Sequence, residues 1–292
     1  MDKVEQENSI QSEISLSNKK LIKRLDGHSS MVELIEVDGK GYILKTADKE
    51  DVFNERMFYE VLEQNNLPSL IEFHSKDLSD NQLLLEYIPE SKGIDWRNSI
   101  DVEKWGSAVR QMHGVKFDEP FKISENNEKI VLDWKQHLKN TLETAIQRQL
   151  DEQTDIPKDF LEKIRHYALS KIDDIPLSQV TLLHGDLHDG NTLIKDDKVV
   201  LYDKSSELFA GDPLYDLTII MTHLPNGAYV RTDNPDNAND SKLLEAFIKG
   251  YGENFLEESK DLLDLYLVIR ALDRYPNPFE TFNKQIIENI VL

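Results

Sequence analysis

One short polar segment constrains this chain more than any other feature. Residues 184–191 read His-Gly-Asp-Leu-His-Asp-Gly-Asn, and Asp203 follows twelve residues after Asn191, at the end of a short apolar run. The carboxylate of Asp186 and the amide of Asn191 are thus five residues apart on one tight loop. Transfer of a phosphoryl group from a nucleotide uses such a set, in which one Asp accepts the proton of the attacking hydroxyl and an Asn and a second Asp hold Mg²⁺. The pattern predicts Asp186 as the catalytic base and Asn191 and Asp203 as Mg²⁺ ligands; the simpler interpretation is a polar turn between two strands.

The composition narrows the class of protein. The chain has 292 residues, of which 39% are hydrophobic and 30% charged, enough for two lobes and a sizeable core. It has no cysteine, so disulfides and thiolate metal sites are excluded. The N-terminal segment is polar and acidic, without the apolar core of a signal peptide, and no run approaches the roughly 20 apolar residues of a membrane span. We expect a soluble cytoplasmic protein with no membrane partner.

The net charge of the chain indicates which binding partners to expect. The formal net charge is −21, from 34 basic and 55 acidic side chains. A field of that sign repels phosphate backbones, so nucleic acid is not an expected partner, and it favours a cationic small substrate. Simple solubility, or an acidic bias in the host, would explain the same excess. The oligomeric state is not indicated by the sequence.

The first third of the chain has the pattern of a small β-rich lobe. Residues 1–14 are expected to form a flexible arm, and residues 15–90 an N-lobe with a nucleotide-binding sheet and one helix. Strands are predicted over 21–25, 31–37, 42–44, 70–73 and 82–88, and a helix over 48–66. The stretch Asp38-Gly39-Lys40-Gly41 has the composition of a hairpin turn between two of these strands.

The rest of the chain has mainly helical periodicity. Helices are predicted over 102–113, 130–150, 157–172, 213–223, 241–250 and 254–274, with short strands over 180–183, 192–194 and 199–202 around the polar motif. We assign residues 91–292 to a C-lobe that carries the catalytic loop, the metal site and the acceptor-binding helices. A small sheet lobe followed by a larger, mostly helical lobe predicts an α+β fold with a cleft between the two lobes.

The N-terminal sheet supplies candidates for phosphate binding. Lys45 closes the third strand and is placed to reach the α- and β-phosphates of a nucleotide. Glu55 on the following helix is the best anionic partner for it, since Glu60 lies on a different helix face. A solvated lysine at a strand end is the alternative.

Two backbone segments are candidates for the remaining nucleotide contacts. The turn over 26–30 carries one glycine, and its backbone N–H groups with the hydroxyls of Ser29 and Ser30 are placed to cradle a phosphate. An ordinary hairpin turn would have the same composition. Residues Glu86 to Ile88 enter the crossover between the lobes, where main-chain groups are expected to pair with an adenine edge.

With these residues assembled, the chain resembles the aminoglycoside phosphotransferase and choline kinase superfamily of small-molecule kinases. The specific motifs are HGDLHDGN at 184–191 and GDPLYDL at 211–217. The resemblance implies a protein-kinase-like two-lobe fold, with the base and metal ligands named above. It further implies that His184 braces the loop, that Asp216 anchors it, and that Arg270 belongs to the family's C-terminal helix.

The resemblance covers roughly residues 20–275, and the chain departs from it in places. Lys204 and Ser205 follow Asp203 where many family members have an aromatic residue and then a glycine or an acid. This puts a cation next to a predicted metal ligand, and we expect Lys204 to point away from the cleft. Asp212 precedes Pro213 at the start of a predicted helix, which is a good N-cap position.

The length of the segment after Asp203 separates two kinds of kinase. A protein kinase needs a long activation segment there to dock a peptide, but only seven residues separate Asp203 from Gly211. The helical insert over 128–173 is expected to wall off the cleft, which suits a small acceptor. A nucleotide-binding pseudokinase that serves as an interaction module is the alternative from a different class.

The sequence therefore predicts an ATP-dependent phosphotransferase, with GTP as the alternative donor, that uses Mg²⁺. The acceptor is expected to be a small hydroxylated molecule, an aminoglycoside or another amine; a neutral sugar or amino alcohol is the alternative. Acidic residues that would attract a cation are Asp189, Glu207, Asp233, Asp236 and Asp240. The stretch over 225–241 is predicted to be a long loop, either a substrate lid or a surface excursion.

Overall fold

A computed structural model describes most of the chain. The described residues are 13–25, 30–95, 97–124, 126–195, 197–205, 207–223, 237–252, 255–275, 287–288 and 290–291. Ser29, residues 1–12 of the predicted arm and residues 225–236 of the predicted loop lie outside these ranges, so the predictions about them stay predictions. Ile14 is docked on the sheet lobe, where its backbone N–H donates to the carbonyl of His74 at 3.0 Å.

A four-stranded antiparallel sheet with one helix forms the N-lobe. The strands lie in the order β1 (Lys20–Leu25), β2 (Met31–Val37), β3 (Lys40–Thr46) and β4 (Gln82–Glu86), and α1 (Lys49–Gln64) comes between β3 and β4 in the chain. Asp38 and Gly39 have φ values of 51° and 79°, as a two-residue hairpin turn of the primed type requires. The apolar run of β4 is buried on both faces, because Leu83 packs with the α1 side chains and Leu84 with a second cluster on the other face.

The strand predicted over 70–73 is wrong. The segment makes one isolated bridge, between Glu72 and Leu85 of β4. Backbone hydrogen bonds from Glu86 to Ile71 and from Phe73 to Leu84 hold it beside β4. On its other side, the carbonyl of His74 accepts a hydrogen bond from the backbone N–H of Ile14 in the N-terminal segment.

Six helices make up most of the C-lobe in the described part of the chain. They are α2 (Ser99–Met112), α3 (Trp134–Asp151), α4 (Lys158–Ile172), α5 (Pro213–His223), α6 (Asn237–Tyr251) and α7 (Phe255–Arg274). Asn98 and Asp133 cap α2 and α3, since their side chains accept hydrogen bonds from the backbone N–H groups of Ile100 and Gln136. The helix α6 begins inside the stretch over 225–241 that was predicted to be a loop, so the prediction is wrong for residues 237–241.

Two small sheets complete the C-lobe. One has the order β10 (Lys198–Leu201), β9 (Thr192–Lys195), β5 (Lys92–Gly93), and the other the order β7 (Lys129–Val131), β6 (Phe121–Ile123), β11 (Ala210–Gly211), β8 (Thr181–Leu182). The strand β7 corrects the helix predicted from residue 130, because residues 129–131 pair with β6 and the helix starts after the Asp133 cap. Short strands such as β5 and β6 have too few residues for a periodicity to be recognised.

The α+β prediction is confirmed: a small β-rich lobe precedes a larger, mostly helical one. The predicted boundary between residues 90 and 91 falls between β4 and β5. Phe58 of α1 packs edge-on against His184 of the C-lobe, with 5.4 Å between ring centroids, so the helix of the first lobe rests on the polar motif of the second. Within the described residues, none of the helices is both long and apolar enough to cross a membrane.

Candidate active site

The loop between β8 and β9 carries the predicted catalytic residues. Asp216 of α5 holds its first part, because its two carboxylate oxygens accept hydrogen bonds from the backbone N–H groups of His184 (2.7 Å) and Gly185 (2.8 Å). Gly185 has a φ of 82°, and a Cβ at this position would lie 3.0 Å from the Cβ of Ser205. A glycine is therefore needed here both for the backbone conformation and for the close approach of the segment after Asp203.

A buried chain of hydrogen bonds supports Asp216. Its Oδ2 lies 3.3 Å from Nε2 of His113, and Nδ1 of His113 lies 2.9 Å from the hydroxyl of Tyr251. Burial by itself would raise the pKa of Asp216, but the hydrogen bond from His113 and the loop N–H donors lower it below the ordinary value of 3.8. Asp216 is thus an anion beneath the catalytic loop. His113 and Tyr251 were not predicted; they come from α2 and α6, which no local pattern connects to the motif.

His184 has the contacts of a structural residue. Its Nε2 donates to the carbonyl of Tyr202 at 2.8 Å, and its Nδ1 accepts from the backbone N–H of Asp186 at 3.3 Å. Burial lowers the pKa of His184 to about 4, so the imidazole is neutral near pH 7. It joins the catalytic loop to the strand end that precedes Asp203.

The carboxylate of Asp186 is contacted at both oxygens. Its Oδ2 lies 3.2 Å from the amide nitrogen of Asn191 and 3.4 Å from Nε2 of His188, while its Oδ1 lies 3.3 Å from Nη2 of Arg274. Burial by itself would raise the pKa of Asp186, but the hydrogen bond and charge of His188 and the charge of Arg274 hold it well below its usual range. With 35% of its side chain exposed, Asp186 is an ionised carboxylate open to the cleft, as a proton acceptor must be.

Asn191 and Asp203 lie on adjacent backbone segments, joined by a hydrogen bond of 3.1 Å from the N–H of Tyr202 to the carbonyl of Asn191. The amide nitrogen of Asn191 donates to the carbonyl and Oδ2 of Asp186, so its amide oxygen is the atom left for a metal. Asp203 has a φ of 60°, and 46% of its side chain is exposed.

The donors that Asn191 and Asp203 offer to a metal are one amide oxygen and one carboxylate. Among the described residues, no three His, Cys, Asp or Glu side chains form a cluster that would hold a metal alone. Mg²⁺ prefers oxygen ligands and is usually bound by one or two carboxylates together with substrate phosphates and water. One carboxylate and one amide oxygen at the cleft therefore fit a metal that is shared with a nucleotide.

Lys45 on β3 joins the two lobes through an ion-pair network. Its Nζ donates to Oε2 of Glu55 at 2.5 Å and to Oδ1 of Asp203. Glu55 is 1% exposed, and its other oxygen accepts from the hydroxyl of Tyr59 and from the backbone N–H of Asp203. Burial by itself would lower the pKa of Lys45, but the two carboxylates raise it overall. Lys45 is thus paired with Glu55 as well as with Asp203, whereas Glu60 is exposed; the contact with Tyr59 was not predicted.

The other predicted nucleotide contacts are placed as follows. Ser30 lines the same cavity as Lys45. The carboxylate of Glu86 accepts a hydrogen bond of 3.0 Å from the backbone N–H of Ile71, and the backbone N–H of Glu86 donates to the carbonyl of Ile71 at 2.9 Å. The carbonyl of Ile88 accepts from the hydroxyl of Ser91 at 2.9 Å. Nucleotide binding by this crossover stays a prediction.

A cavity of about 320 Å³ brings the central residues together. Lys45, Asp186 and Asp203 line it, although they are distant from one another in the sequence. Arg274 of α7 also lines it and was not predicted. It follows Arg270 by four residues and so lies on the same face of the helix, which is the signal that would have found it.

Two charged residues that line the cavity, Lys204 and Glu207, are bonded to groups of the protein itself. Nζ of Lys204 donates to the carbonyls of Ser205 (2.5 Å) and Leu208 (2.6 Å), and burial lowers the pKa of Lys204 to about 8. Glu207, predicted as an acceptor-pocket acid, instead accepts from Nη1 of Arg270 at 2.9 Å and from the hydroxyl of residue 215 at 2.8 Å. Its negative charge is thereby largely compensated, which weakens that prediction.

The segment between Asp203 and β11 is short and leads directly into paired strands. Ala210 and Gly211 form β11 and pair at once with β8 and β6. Asp212 then caps α5, because its Oδ1 accepts from the backbone N–H of Leu214 at 3.0 Å. Among the described residues between Asp203 and this cap, none forms an extended platform for a peptide.

A match to a family model identifies the family of this chain. The model of the phosphotransferase enzyme family, APH, matches residues 21–263. The chain belongs to this phosphotransferase family. Among the curated proteins that were compared, none matches the sequence.

Solved structures show the fold of this phosphotransferase in other proteins. A thermostable mutant of aminoglycoside phosphotransferase APH(4)-Ia, in ternary complex with ADP and hygromycin B, is similar with a TM-score of 0.67 and 15% identity, over 93% of each chain. Amicoumacin kinase, in complex with AMP-PNP, Ca²⁺ and Ami, is similar with a TM-score of 0.61 and 14% identity, over 97% of this chain and 89% of that one.

A choline/ethanolamine kinase family protein from Mesorhizobium loti is similar with a TM-score of 0.59 and 16% identity, over 92% of this chain and 86% of that one. At these identities the likeness concerns the fold. The predicted protein-kinase-like, two-lobe fold and the predicted superfamily are both confirmed.

Proposed function

We propose that this phosphotransferase moves the γ-phosphate of ATP to a hydroxyl of a small molecule. The observation that carries the proposal is that Lys45, Asp186 and Asp203 line the same cavity. These residues supply a cation, an ionised base and an oxygen ligand for a metal within one space, which is the set that phosphoryl transfer requires. GTP is the alternative donor, since main-chain contacts at the crossover do not by themselves exclude it.

Each residue has a role that follows from its contacts. Asp186 accepts the proton of the acceptor hydroxyl, and the amide of Asn191 orients it by donating to its Oδ2. Lys45, held by Glu55, neutralises charge on the α- and β-phosphates. Asn191 and Asp203 would hold Mg²⁺, which would supply positive charge to the phosphates of the nucleotide. His184 and Asp216 keep the loop in place and do not contact the substrates.

A small acceptor is supported by the short segment between Asp203 and β11, which leaves no peptide platform there. An amine-bearing acceptor, an aminoglycoside or a related compound, is supported by the net charge of −21. The similarity in fold to an aminoglycoside phosphotransferase in complex with hygromycin B supports the same class of acceptor. A neutral sugar or an amino alcohol is the alternative, because the best-placed acid, Glu207, is already paired with Arg270.

A coupled ADP-release assay with Mg-ATP tests the proposal on amines, neutral polyols and acids, including aminoglycosides, at low and high salt. We expect the highest kcat/KM for an amine, with an advantage that shrinks in high salt because exposed charges are screened. Asp186→Asn is the matched control for contaminating kinases. An anionic best substrate, or an amine preference indifferent to salt, would overturn the choice of acceptor. Magnesium–nucleotide binding without any turnover would favour a pseudokinase.

A further inference from the structure

Arg274 enters the candidate active site from the last turn of α7. Its Nη2 lies 3.3 Å from Oδ1 of Asp186, and its side chain is 25% exposed. It lines the same cavity as Lys45 and Asp203. A guanidinium carries several N–H donors in a rigid fork, and Nη2 of Arg274 is directed to Asp186, so that its geometry suits a bridge between two anions.

The backbone that carries Arg274 is held firmly. Arg148 and Gln149 of α3 donate to the carbonyl of Leu272 at 3.2 Å and 3.1 Å, and Gln149 also donates to the carbonyl of Tyr275 at 2.5 Å. These bonds satisfy carbonyls at the end of α7 that have no partner within the helix. A charge that is fixed before the reaction stabilises a transition state well, because little reorganisation is needed when charge develops.

One turn earlier, Arg270 ties the same helix to the catalytic loop. Its Nη2 donates to the carbonyl of Gly185 at 3.2 Å, and its Nη1 donates to Glu207 and to the hydroxyl of Tyr215. The loop and the end of α7 are therefore fixed relative to each other. The distance between Arg274 and Asp186 is set by this packing.

The cations that line the cavity point in different directions. Lys45 is shared between Glu55 and Asp203, on the side of the predicted metal site. Lys204 donates to two backbone carbonyls in the segment that follows Asp203. Arg274 instead faces the carboxylate that is proposed to receive the acceptor's proton. The cavity thus has one cation beside the predicted metal ligand Asp203 and another beside the proposed base Asp186.

From this arrangement, and on the basis of the proposed function, we infer that Arg274 is a further catalytic residue that contacts the γ-phosphoryl group during transfer. The bond from the γ-phosphorus to the β–γ bridging oxygen breaks, and a bond from phosphorus to the acceptor oxygen forms. The hydroxyl proton goes to Asp186. Arg274 exchanges no proton; it donates hydrogen bonds to the phosphoryl oxygens, whose charge is spread over three positions in the transition state.

The test measures binding of a transition-state mimic, so that no acceptor has to be known. Affinity for Mg-ADP is measured by calorimetry with and without aluminium fluoride, for the wild type, Arg274→Gln and Arg274→Lys. Arg165→Gln is the matched control, because Arg165 is also ion-paired, to Glu143 and Glu162, but lies on α4 outside the cavity. Slow ATP hydrolysis, with water as acceptor, gives the corresponding kcat.

We expect aluminium fluoride to tighten Mg-ADP binding by the wild type and by Arg165→Gln. Arg274→Gln should lose about 10²-fold of that gain and a similar factor in kcat for hydrolysis, while its affinity for Mg-ADP alone changes less than about 3-fold. Arg274→Lys should recover part of the loss, since it keeps the charge but not the fork. The melting temperature of each variant shows whether the fold is intact.

Three results would count against the inference, and they differ from one another. An Arg274→Gln protein with the full fluoride-dependent gain would show that Arg274 does not contact the phosphoryl group. An unchanged rate of ATP hydrolysis, together with a raised KM for the best acceptor found in the substrate panel of the proposed function, would make Arg274 an acceptor-binding residue. A wild type that binds no Mg-ADP would refute the proposed function itself, and the role of Arg274 with it.

Discussion

Replacing Lys45 by methionine should destabilise the protein more than replacing its partner Glu55 by glutamine. The reason is the unequal burial of the groups that remain. Without Lys45, the carboxylate of Glu55 stays 1% exposed and keeps only neutral donors, among them the hydroxyl of Tyr59. Without the charge of Glu55, Lys45 still has Asp203, a partner with a side chain that is 46% exposed.

The expected losses of folding stability follow from this difference in burial. Removing one partner of a buried ion pair costs about 3–5 kcal/mol, because an uncompensated charge is left inside the protein. Methionine is close to lysine in volume, so the loss of packing adds little. Glu55→Gln leaves no isolated buried charge and should cost about 1–3 kcal/mol, the range for a disturbed buried hydrogen bond. The double variant has no buried charge and should be more stable than Lys45→Met alone.

Urea unfolding followed by circular dichroism on the four proteins of this double-mutant cycle gives the coupling energy between Lys45 and Glu55. We expect a coupling of about 1–3 kcal/mol. In thermal unfolding, 1 kcal/mol should correspond to roughly 2–4 °C in Tm for a chain of this size class. A single Lys45→Met variant that loses less than Glu55→Gln, or a double variant less stable than both, would refute the reasoning.

Three further predictions concern the catalytic loop and its metal ligand. Asp186→Asn should lower kcat by about 10²–10⁴ with ATP affinity nearly unchanged, because general base action is lost and the nucleotide contacts remain; steady-state kinetics with wild-type turnover would exclude Asp186 as the base. Asp203→Ala should abolish the magnesium dependence of nucleotide binding in calorimetry, whereas binding as tight as that of the parent protein would place the metal elsewhere. Asp216→Asn should cost about 1–3 kcal/mol near pH 7, since an amide presents one oxygen to the two loop N–H groups of His184 and Gly185. The pKa of Asp216 in the folded protein lies below its ordinary value of 3.8, so this stabilisation is present above that pH and is lost as the pH falls through the folded pKa; a variant whose stability falls as steeply in acid as that of the wild type would contradict the assignment.

Features that depend on a few neighbouring residues could be predicted. The hairpin at Asp38 and Gly39 was recognised because its turn needs a positive φ at both central positions. Few residue types other than Asn, Asp and Gly adopt that conformation readily. Helical periodicity was enough to choose Glu55 over Glu60 as the partner of Lys45, since the two positions lie on different faces of α1. In contrast, residues 130–131 were assigned to a helix because their pairing with β6 depends on a strand that is too short to be recognised.

In the candidate site, too, contacts between neighbouring residues could be predicted and most contacts between distant ones were not. The sequence placed Asp186 and Asn191 on one loop, and chain connectivity then keeps them within contact, with the amide donating to the carboxylate at 3.2 Å. His113 and Arg274 were not predicted, because they reach the loop from helices at distant positions in the chain; the spacing of four residues from Arg270 was the one local signal for Arg274. Their contacts depend on how apolar helix faces pack, which a pattern of polar residues does not specify.

By itself, the sequence determined the chemistry that is available: a base and a metal-binding amide on one loop, a second metal-binding carboxylate twelve residues on, and a lysine on a strand of a small sheet. The tertiary structure decided which of these groups meet. It brings Lys45 to Asp203 across 158 positions and Arg274 to Asp186 across 88 positions. The physical reason is that bond geometry fixes contacts over a few residues, whereas contacts at long separation arise from burial of apolar surface between elements.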